Sequence, residues 1–428
     1  MHAIAEAPRE VLRIVERLEE EGFETWAVGG VVRNHLLGRD PGDWDLTTRA
    51  TPRDVMRLFK RTVPIGLDHG TVGVLGEDRT LFEVTTFRKD VETMGRRAVV
   101  EFAERIEDDL ARRDFTINAI AWHPLRKEFL DPFAGSDDLD RRVLRTVGNA
   151  SERFSEDLLR VLRGLRFAAA FGLTVDPDTW VALCDAVDQL DILSGERVRE
   201  ELLKVLGSRL PSGVLSLYAA SGVLSALYPE IDAYADEWSL ALLTCDGLSA
   251  SRPILRFTAV LDVLADGPGT AGERAAVLMG RLRFSNADVR FVTRLLDAPQ
   301  VPSSEAEEAD RRRWLSTVGP ELVEPTGRLI AARARARRAV LARPADDAVA
   351  AWRGVQATRR RRPPLTLDDL AISGDDLIML GHAPGPKFGG ALQSMLDSVL
   401  EDPALNTAEQ LSAMAVEILG APAGKGGS

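Results

Sequence analysis

Apolar and polar positions follow two different periods along this chain. In the first 23 residues, MHAIAEAPREVLRIVERLEEEGF, apolar residues recur every three or four positions among charged ones, which predicts an amphipathic helix. Thr25-Trp26-Ala27-Val28 is a short apolar run closed by Gly29-Gly30, and Val31 to Leu37 returns to helical spacing. Trp44 to Thr48 predicts a strand, and Pro52 to Lys60 a helix that begins near Thr51. Thr71 to Leu75 and Leu81 to Phe87 alternate apolar and β-branched residues and predict two more strands, while Phe115 to Trp122 reads as a helix. From Arg153 onward the helical period dominates, as in Leu158, Leu159, Leu162, Leu165 and Phe167, and strand signals become rare. Breaks fall near Leu210-Pro211, Asp266 to Gly269 and Pro302 to Ser304. The expected fold class is α+β: a mixed α/β domain over 1–147, then helices. The Gly-rich tail Ala421 to Ser428 is expected to lack regular structure.

Composition narrows the function. The chain has 428 residues and a net charge of −12, which argues against a surface generally coated for nucleic acid but permits a local basic groove. No run of 18 apolar residues occurs, so no membrane-spanning helix is expected. The charged N-terminus has no apolar signal core, and a cytoplasmic setting is expected. Cys184 and Cys245 make neither a zinc spacing nor a disulfide framework. The five histidines are scattered, without an HD or HxxxH pair, which argues against a histidine-based metallohydrolase.

Two short motifs carry chemistry. Gly29-Gly30 followed by Arg33 sits at a strand-to-helix junction, where backbone amides and a guanidinium can meet a phosphate. Alone, this is a common turn with a surface arginine. Ten residues later, Asp43-Trp44-Asp45 enters a strand, where positions i and i+2 share a face. Two adjacent carboxylates repel, and a divalent cation resolves the conflict; hard oxygen ligands beside substrate phosphates suit Mg²⁺. A lone DxD is usually a solvated turn. Glycine turn, arginine and DxD together place a triphosphate beside a metal site, as nucleotidyl transfer requires.

The stretch Val28-Gly-Gly-Val-Val-Arg33, Leu36-Leu-Gly-Arg39 and Asp43-Trp-Asp-Leu-Thr47 resembles the head motif of class II tRNA nucleotidyltransferases, the CCA-adding enzymes. These group with bacterial poly(A) polymerases in the DNA polymerase beta superfamily. The resemblance continues through His69-Gly-Thr-Val72, Glu83 to Arg88, Asp109 to Ala119, Asp131-Pro-Phe133, Leu144 to Gly148 and Glu156-Asp-Leu-Leu-Arg160, covering residues 25 to about 207. It implies a nucleotidyltransferase head (1–147), a helical neck that reads the base (148–240) and an elongated helical body and tail that bind tRNA (241–428). It implies catalysis by Asp43 and Asp45 with Mg²⁺, and nucleotide contacts from Gly30, Arg33, Arg113, Asp157, Arg160, Arg163 and Arg166. Arg112-Arg113-Asp114 has a structural alternative, in which an arginine simply pairs Asp114 or Asp109. Two departures stand out: Asn34 replaces a usual Asp, and Arg96-Arg97-Ala98 replaces Arg-Arg-Pro in a loop, 89–100, that in the family serves the switch from C to A addition.

Over 153–166, Ser155 reads as an N-cap, and Asp157, Arg160, Arg163 and Arg166 follow three apart in a gentle spiral. An ion-paired surface helix is one reading. The other follows from base chemistry. Cytosine and adenine each present an amino donor beside a ring-nitrogen acceptor, so Asp157 with Arg160 would accept them and reject uracil and guanine. Glu83 is left as a strand residue facing either a metal or solvent, and Glu196 to Glu201 reads as structural ion pairing.

Ten arginines between 333 and 362, among them Arg359, Arg360, Arg361 and Arg362, face only Asp346 and Asp347. Such a run is either a solvated helix face or, in an otherwise acidic chain, a phosphate-backbone site. The expected activity is addition of C, A or both to the tRNA 3′ end from CTP and ATP, with release of pyrophosphate. The alternatives are a CC-only or A-only enzyme, a bacterial poly(A) polymerase and a non-catalytic RNA-binding protein of the same fold.

Overall fold

A computed structural model describes residues 7–94, 97–232, 235–266, 269–341 and 347–421. The chain divides into two compact units, Met1–Asp232 and Ala233–Ser428.

The first unit opens with α1 (Arg9–Glu20), whose Val11, Ile14, Val15 and Leu18 are buried at helical spacing. Then come β1 (Thr25–Val28), α2 (Gly30–Leu36), β2 (Asp45–Thr48), α3 (Pro52–Leu58), β3 (Thr62–Gly66), β4 (Thr71–Leu75) and β5 (Leu81–Thr86). Thr51 closes a capping box with Asp54, which explains the start of α3. A hairpin of β6 (Arg88–Met94) and β7 (Arg97–Phe102) follows, then α4 (Ile106–Ala111), β8 (Ala121–His123), β9 (Glu128–Leu130), α5 (Gly135–Asp140) and β10 (Val143–Leu144). Seven strands form one mixed sheet in the order β3-β4-β5-β2-β1-β8-β9. Val72, Val74, Phe82, Val84 and Leu46 fill one face, and the other carries Asp45, Glu83 and Leu81 toward solvent.

The expected helix over Phe115 to Trp122 is not formed. Thr116–Asn118 makes a 3₁₀ turn, and Ala121–His123 becomes β8 against β1, with Ala27 opposite Trp122. Asp114 accepts from the Phe115 N–H and from Asn118 Nδ2, both at 2.9 Å, and Thr116 Oγ1 donates to Asp138 at 2.7 Å. These side-chain bonds compete with a helix at its first turn.

The neck comprises α6 (Ala150–Glu156) and α7 (Leu159–Phe171), a two-residue strand β11 (Thr174–Val175) parallel to β10, and then α8 (Pro177–Asp185), α9 (Gly195–Leu206), α10 (Pro211–Ser221), α11 (Val223–Leu227) and α12 (Pro229–Asp232). Ser155 is not an N-cap. Asn149 caps α6 by accepting from Glu152 N, and Ser155 Oγ donates back to the Glu152 carbonyl. The helical run expected through 157 breaks at Asp157, whose backbone is extended and whose Oδ1 accepts from Leu159 N at 3.1 Å. Helices α6 to α12 lie in the same compact unit as the sheet.

The second unit is helical: α13 (Ala235–Asp246), α14 (Pro253–Leu261), α15 (Ala271–Arg281), α16 (Asn286–Leu296), α17 (Glu308–Val318), α18 (Pro320–Leu341), α19 (Asp347–Arg360), α20 (Gly374–Met379), α21 (Lys387–Glu401) and α22 (Ala408–Leu419). Buried Arg312 on α17 donates to the Leu400 and Glu401 carbonyls at 2.6 Å each, satisfying the C-terminal end of α21. Leu377, Met395, Val399, Leu411 and Ala415 form a core there. No helix among the described residues is long and apolar enough to cross a membrane.

Candidate active site

The Gly29-Gly30 turn is fixed by backbone geometry. Gly29 has φ 72° and ψ −122°, a conformation that L side chains rarely adopt, and a methyl there would lie 3.2 Å from Arg113 Nη1. The turn leads into α2, whose Arg33 is buried. Arg33 Nη1 donates to Asn118 Oδ1 at 2.6 Å, and its Nε and Nη2 donate to Asn34 Oδ1 at 3.2 and 2.9 Å. Asn34 therefore still holds the arginine through hydrogen bonds, although it lacks the charge of Asp.

Arg33 is one of four guanidinium groups gathered on a pair of stacked phenylalanines. It lies 4.3 Å from the Phe171 ring centre and 5.2 Å from that of Phe167. Arg166 and Arg163 lie 4.4 and 5.3 Å from Phe167, and Arg39 lies 4.8 Å from Phe171. Ring faces attract cations without supplying a counter-charge, and with Asp114 paired to Arg163 and Glu201 to Arg166 the four guanidinium groups keep a net positive charge. Burial lowers the Arg33 pKa to about 10; Asp114 opposes the shift, while Arg166, Arg163 and Arg39 add to it.

Carboxylates fix Arg163 and Arg166 within this cluster and Arg113 and Arg160 beside it. Asp114 Oδ2 accepts from Arg163 Nε at 2.8 Å and Nη2 at 2.6 Å. Burial works against its charged form, but Arg163, Asn118 and the Phe115 N–H prevail and hold its pKa below the usual carboxylate range. Arg113 Nη2 pairs with buried Asp109 at 3.0 Å, while its buried Nε meets no protein acceptor. Arg160 Nη1 donates to Glu156 at 2.5 Å and to the Arg153 carbonyl at 2.9 Å; its Nη2 donates to the Arg112 carbonyl at 3.1 Å. Asp157 accepts from Arg197 Nη2 with both oxygens, each at 2.9 Å. Arg166 Nε pairs with buried Glu201 at 2.8 Å, and Lys204 joins that pair at 2.8 Å.

Seven of the expected residues line one cleft of about 550 Å³: Gly30, Arg33, Asp45, Arg113, Asp157, Arg160 and Arg163. Arg166 does not line it and instead pairs with Glu201 and lies over Phe167. Asp43 is exposed just before β2, and Trp44 between the two aspartates packs on Trp122 at 6.0 Å. Arg359 and Arg360 end α19 in the second unit and Arg361 and Arg362 follow it; all four are exposed, with Arg361 paired to Glu308 at 2.7 Å. The segment 89–100 falls within the β6–β7 hairpin, and Arg96 lies outside the described residues.

Three neighbours of these residues were given no definite site role by the sequence. Glu83, left between metal and solvent, stands directly opposite Asp45 in the parallel β2–β5 pairing. Arg197 reaches Asp157 across 40 positions. Phe167, read only as an apolar helix position, is the ring under three arginines.

Although Asp45 keeps exposed surface at the cleft, protein crowds it on most sides, and its carboxyl is pushed up to about 6, first by that loss of solvation, then by Glu83 and, more weakly, by Asp43, with Arg113 opposing. Crowded oxygen ligands without histidine or cysteine fit a hard divalent cation. Among the described residues no three His, Cys, Asp or Glu groups are gathered closely enough to hold an ion alone.

A glycine turn, a cationic cluster and paired carboxylates on a mixed sheet define a nucleotidyltransferase head. The poly A polymerase head domain family matches residues 25–145, and the family described as a probable RNA and SrmB- binding site of polymerase A matches 172–235. The chain is 33% identical over 432 residues to the CCA-adding enzyme of Geobacillus stearothermophilus, covering 96% of each, and 31% identical over 392 residues to that of Bacillus cytotoxicus, covering 91% of this chain and 93% of the relative. The crystal structure of the Bacillus stearothermophilus CCA-adding enzyme in complex with CTP superposes with a TM-score of 0.77 at 30% identity over 96% of both chains. The Thermotoga maritima CCA-adding enzyme complexed with tRNA shares the fold, with a TM-score of 0.64 at 19% identity over 97% of both. The chain belongs to the family of CCA-adding enzymes, which are tRNA nucleotidyltransferases. Nucleotidyltransferases of this kind typically use a divalent metal.

Proposed function

We propose that this protein adds C and A to the 3′ end of tRNA from CTP and ATP, releasing pyrophosphate, with Asp43 and Asp45 as the catalytic carboxylates. The observation that carries this reading is the single cleft in which Asp45, the Gly29-Gly30 turn, Arg33, Arg113 and Arg163 meet Asp157 and Arg160. The α2 amides and the arginines bind the triphosphate. Asp157 accepts the exocyclic amino group of cytosine or adenine, and Arg160 donates to the ring nitrogen beside it. Glu156 and the Arg112 and Arg153 carbonyls orient Arg160; Arg197 orients Asp157. Mg²⁺ held by Asp43 and Asp45, with Glu83 beside them, would ease loss of the acceptor hydroxyl proton and neutralise charge on the phosphates. Arg359, Arg360, Arg361 and Arg362 contact the tRNA backbone in this reading. A tRNA-processing role goes with a cytoplasmic setting.

The test uses tRNA transcripts ending before CCA, at C and at CC, with Mg²⁺ and each nucleoside triphosphate singly or CTP with ATP. Products are resolved at single-nucleotide length. Two C additions and one A, then a stop, are expected. Addition of one nucleotide type alone, or long A tails, would overturn full CCA addition.

A further inference from the structure

The face of the sheet that carries Asp45 continues past it across three strands. Asp45 stands opposite Glu83, Glu83 opposite Gly73, and Gly73 opposite Val63. Cross-strand partners point to the same side, so this row runs outward from the carboxylates to the edge strand β3. Along it the exposed side chains turn apolar: Val63 is 38% exposed, Ile65 44% and Leu81 44%. Gly73 is the low point between them. A methyl there would lie 2.7 Å from Cδ1 of both Ile65 and Leu81, so the two side chains flank the bare glycine as one apolar saddle. Single exposed aliphatic residues are ordinary, but this is a joined surface bordering the reaction centre.

The chemistry says what belongs there. The turn at Gly29-Gly30 lies on the β1 side of β2, whereas β5, β4 and β3 lie on the other. In a displacement at phosphorus the attacking and leaving oxygens are roughly in line on opposite sides. With the triphosphate held on the β1 side, the acceptor comes from the β5 side, over this row. Strands about 4.8 Å apart put Gly73 about 10 Å from Asp45, within the reach of one nucleotide.

We propose that the Ile65–Gly73–Leu81 saddle, with Val63, is the platform on which the base of the tRNA's 3′-terminal nucleotide rests, setting its 3′-hydroxyl toward Asp45. This rests on the nucleotidyltransferase reading above. The terminal base of the acceptor at the first addition is not the C that terminates it at the later ones, so a platform must accept more than one base. An aliphatic surface meets the π-face of any base without hydrogen-bond preference, whereas the incoming base is read by Asp157 and Arg160.

The experiment compares wild type with the double variant Ile65→Gln/Leu81→Gln and with Leu81→Phe, which keeps the surface apolar. Both positions are solvent-exposed, and circular dichroism and thermal unfolding check the fold. Initial rates are measured on the three tRNA transcripts with CTP or ATP. In the double variant, kcat/KM for tRNA is expected to fall about tenfold, with KM for CTP unchanged. Leu81→Phe is expected to retain wild-type kcat/KM. Equal kcat/KM for tRNA in wild type and double variant would overturn the platform, as would a matching rise in KM for CTP. So would a wild-type dimer that the double variant dissolves, since a second copy would then cover the face. Failure of the wild type to extend any transcript would instead refute the underlying nucleotidyltransferase reading.

Discussion

Asp114→Asn tests the electrostatic frame of the cleft. Asp114 is 8% exposed and accepts four hydrogen bonds, two of them from the Arg163 guanidinium. Asn keeps the volume and one acceptor but removes the charge and turns an N–H donor toward donors. Breaking one partner of a buried ion pair costs about 3–5 kcal/mol. Arg163 retains 33% side-chain exposure, so water compensates part of its loss and about 3 kcal/mol is expected. At about 2–4 °C per kcal/mol for a unit of this size, the unfolding midpoint of the first unit should fall by about 6–12 °C. Asp114 has a lowered pKa in the folded state, so its contribution is full above the ordinary carboxylate value near about 4 and is lost as pH falls through the depressed folded value. The gap between wild type and variant should therefore be constant from neutral pH down to about 5 and narrow only in stronger acid. Calorimetry over pH 3–8, with KM for CTP measured at neutral pH, reads both effects; KM should rise because Arg163 loses its anchor. A variant that unfolds with wild type at neutral pH and binds CTP normally would refute the assignment.

Other positions make separate predictions. Phe167→Leu removes the ring under Arg33, Arg163 and Arg166 and should raise KM for CTP about tenfold with little change in kcat, while Phe167→Tyr restores it; initial-rate kinetics on the three proteins decide. Glu156→Gln weakens the hold on Arg160 and should cut discrimination against UTP and GTP by about tenfold or more, read by single-nucleotide product analysis. Asp45→Asn should lower turnover by about a thousandfold with tRNA affinity unchanged, and filter binding beside a turnover assay separates the two. Replacing Arg359, Arg360, Arg361 and Arg362 with Ala should weaken tRNA binding. It should also flatten the slope of log affinity against log salt by about one for each phosphate no longer neutralised, measured by salt titration.

The local structure of this protein was legible wherever it depends on neighbours in sequence. Gly29-Gly30 needs only its own backbone freedom to make a phosphate-sized turn, and Thr51 with Asp54 needs only helix spacing to start α3. The period-2 runs at Thr71–Leu75 and Leu81–Thr86 likewise declare strands, whereas β2 begins only at Asp45 and leaves Asp43 ahead of it, so the expected strand face shared by the two aspartates is not formed. Tertiary structure decided what competes over distance. The apolar run ending at Trp122 could serve a helix or a strand, and pairing with β1 made its end β8. Glu83 became a neighbour of Asp45 only through the parallel β2–β5 register, 38 positions apart. Any of the chain's arginines could pair any nearby acid. Packing assigned Arg163 to Asp114, Arg166 to Glu201 and Arg197 to Asp157, and placed Phe167 beneath three guanidinium groups. Local motifs are set by bonds that span a few residues, which a sequence displays directly. The pairing of opposite charges and the facing of strands depend on which groups the fold brings within a few ångströms of each other.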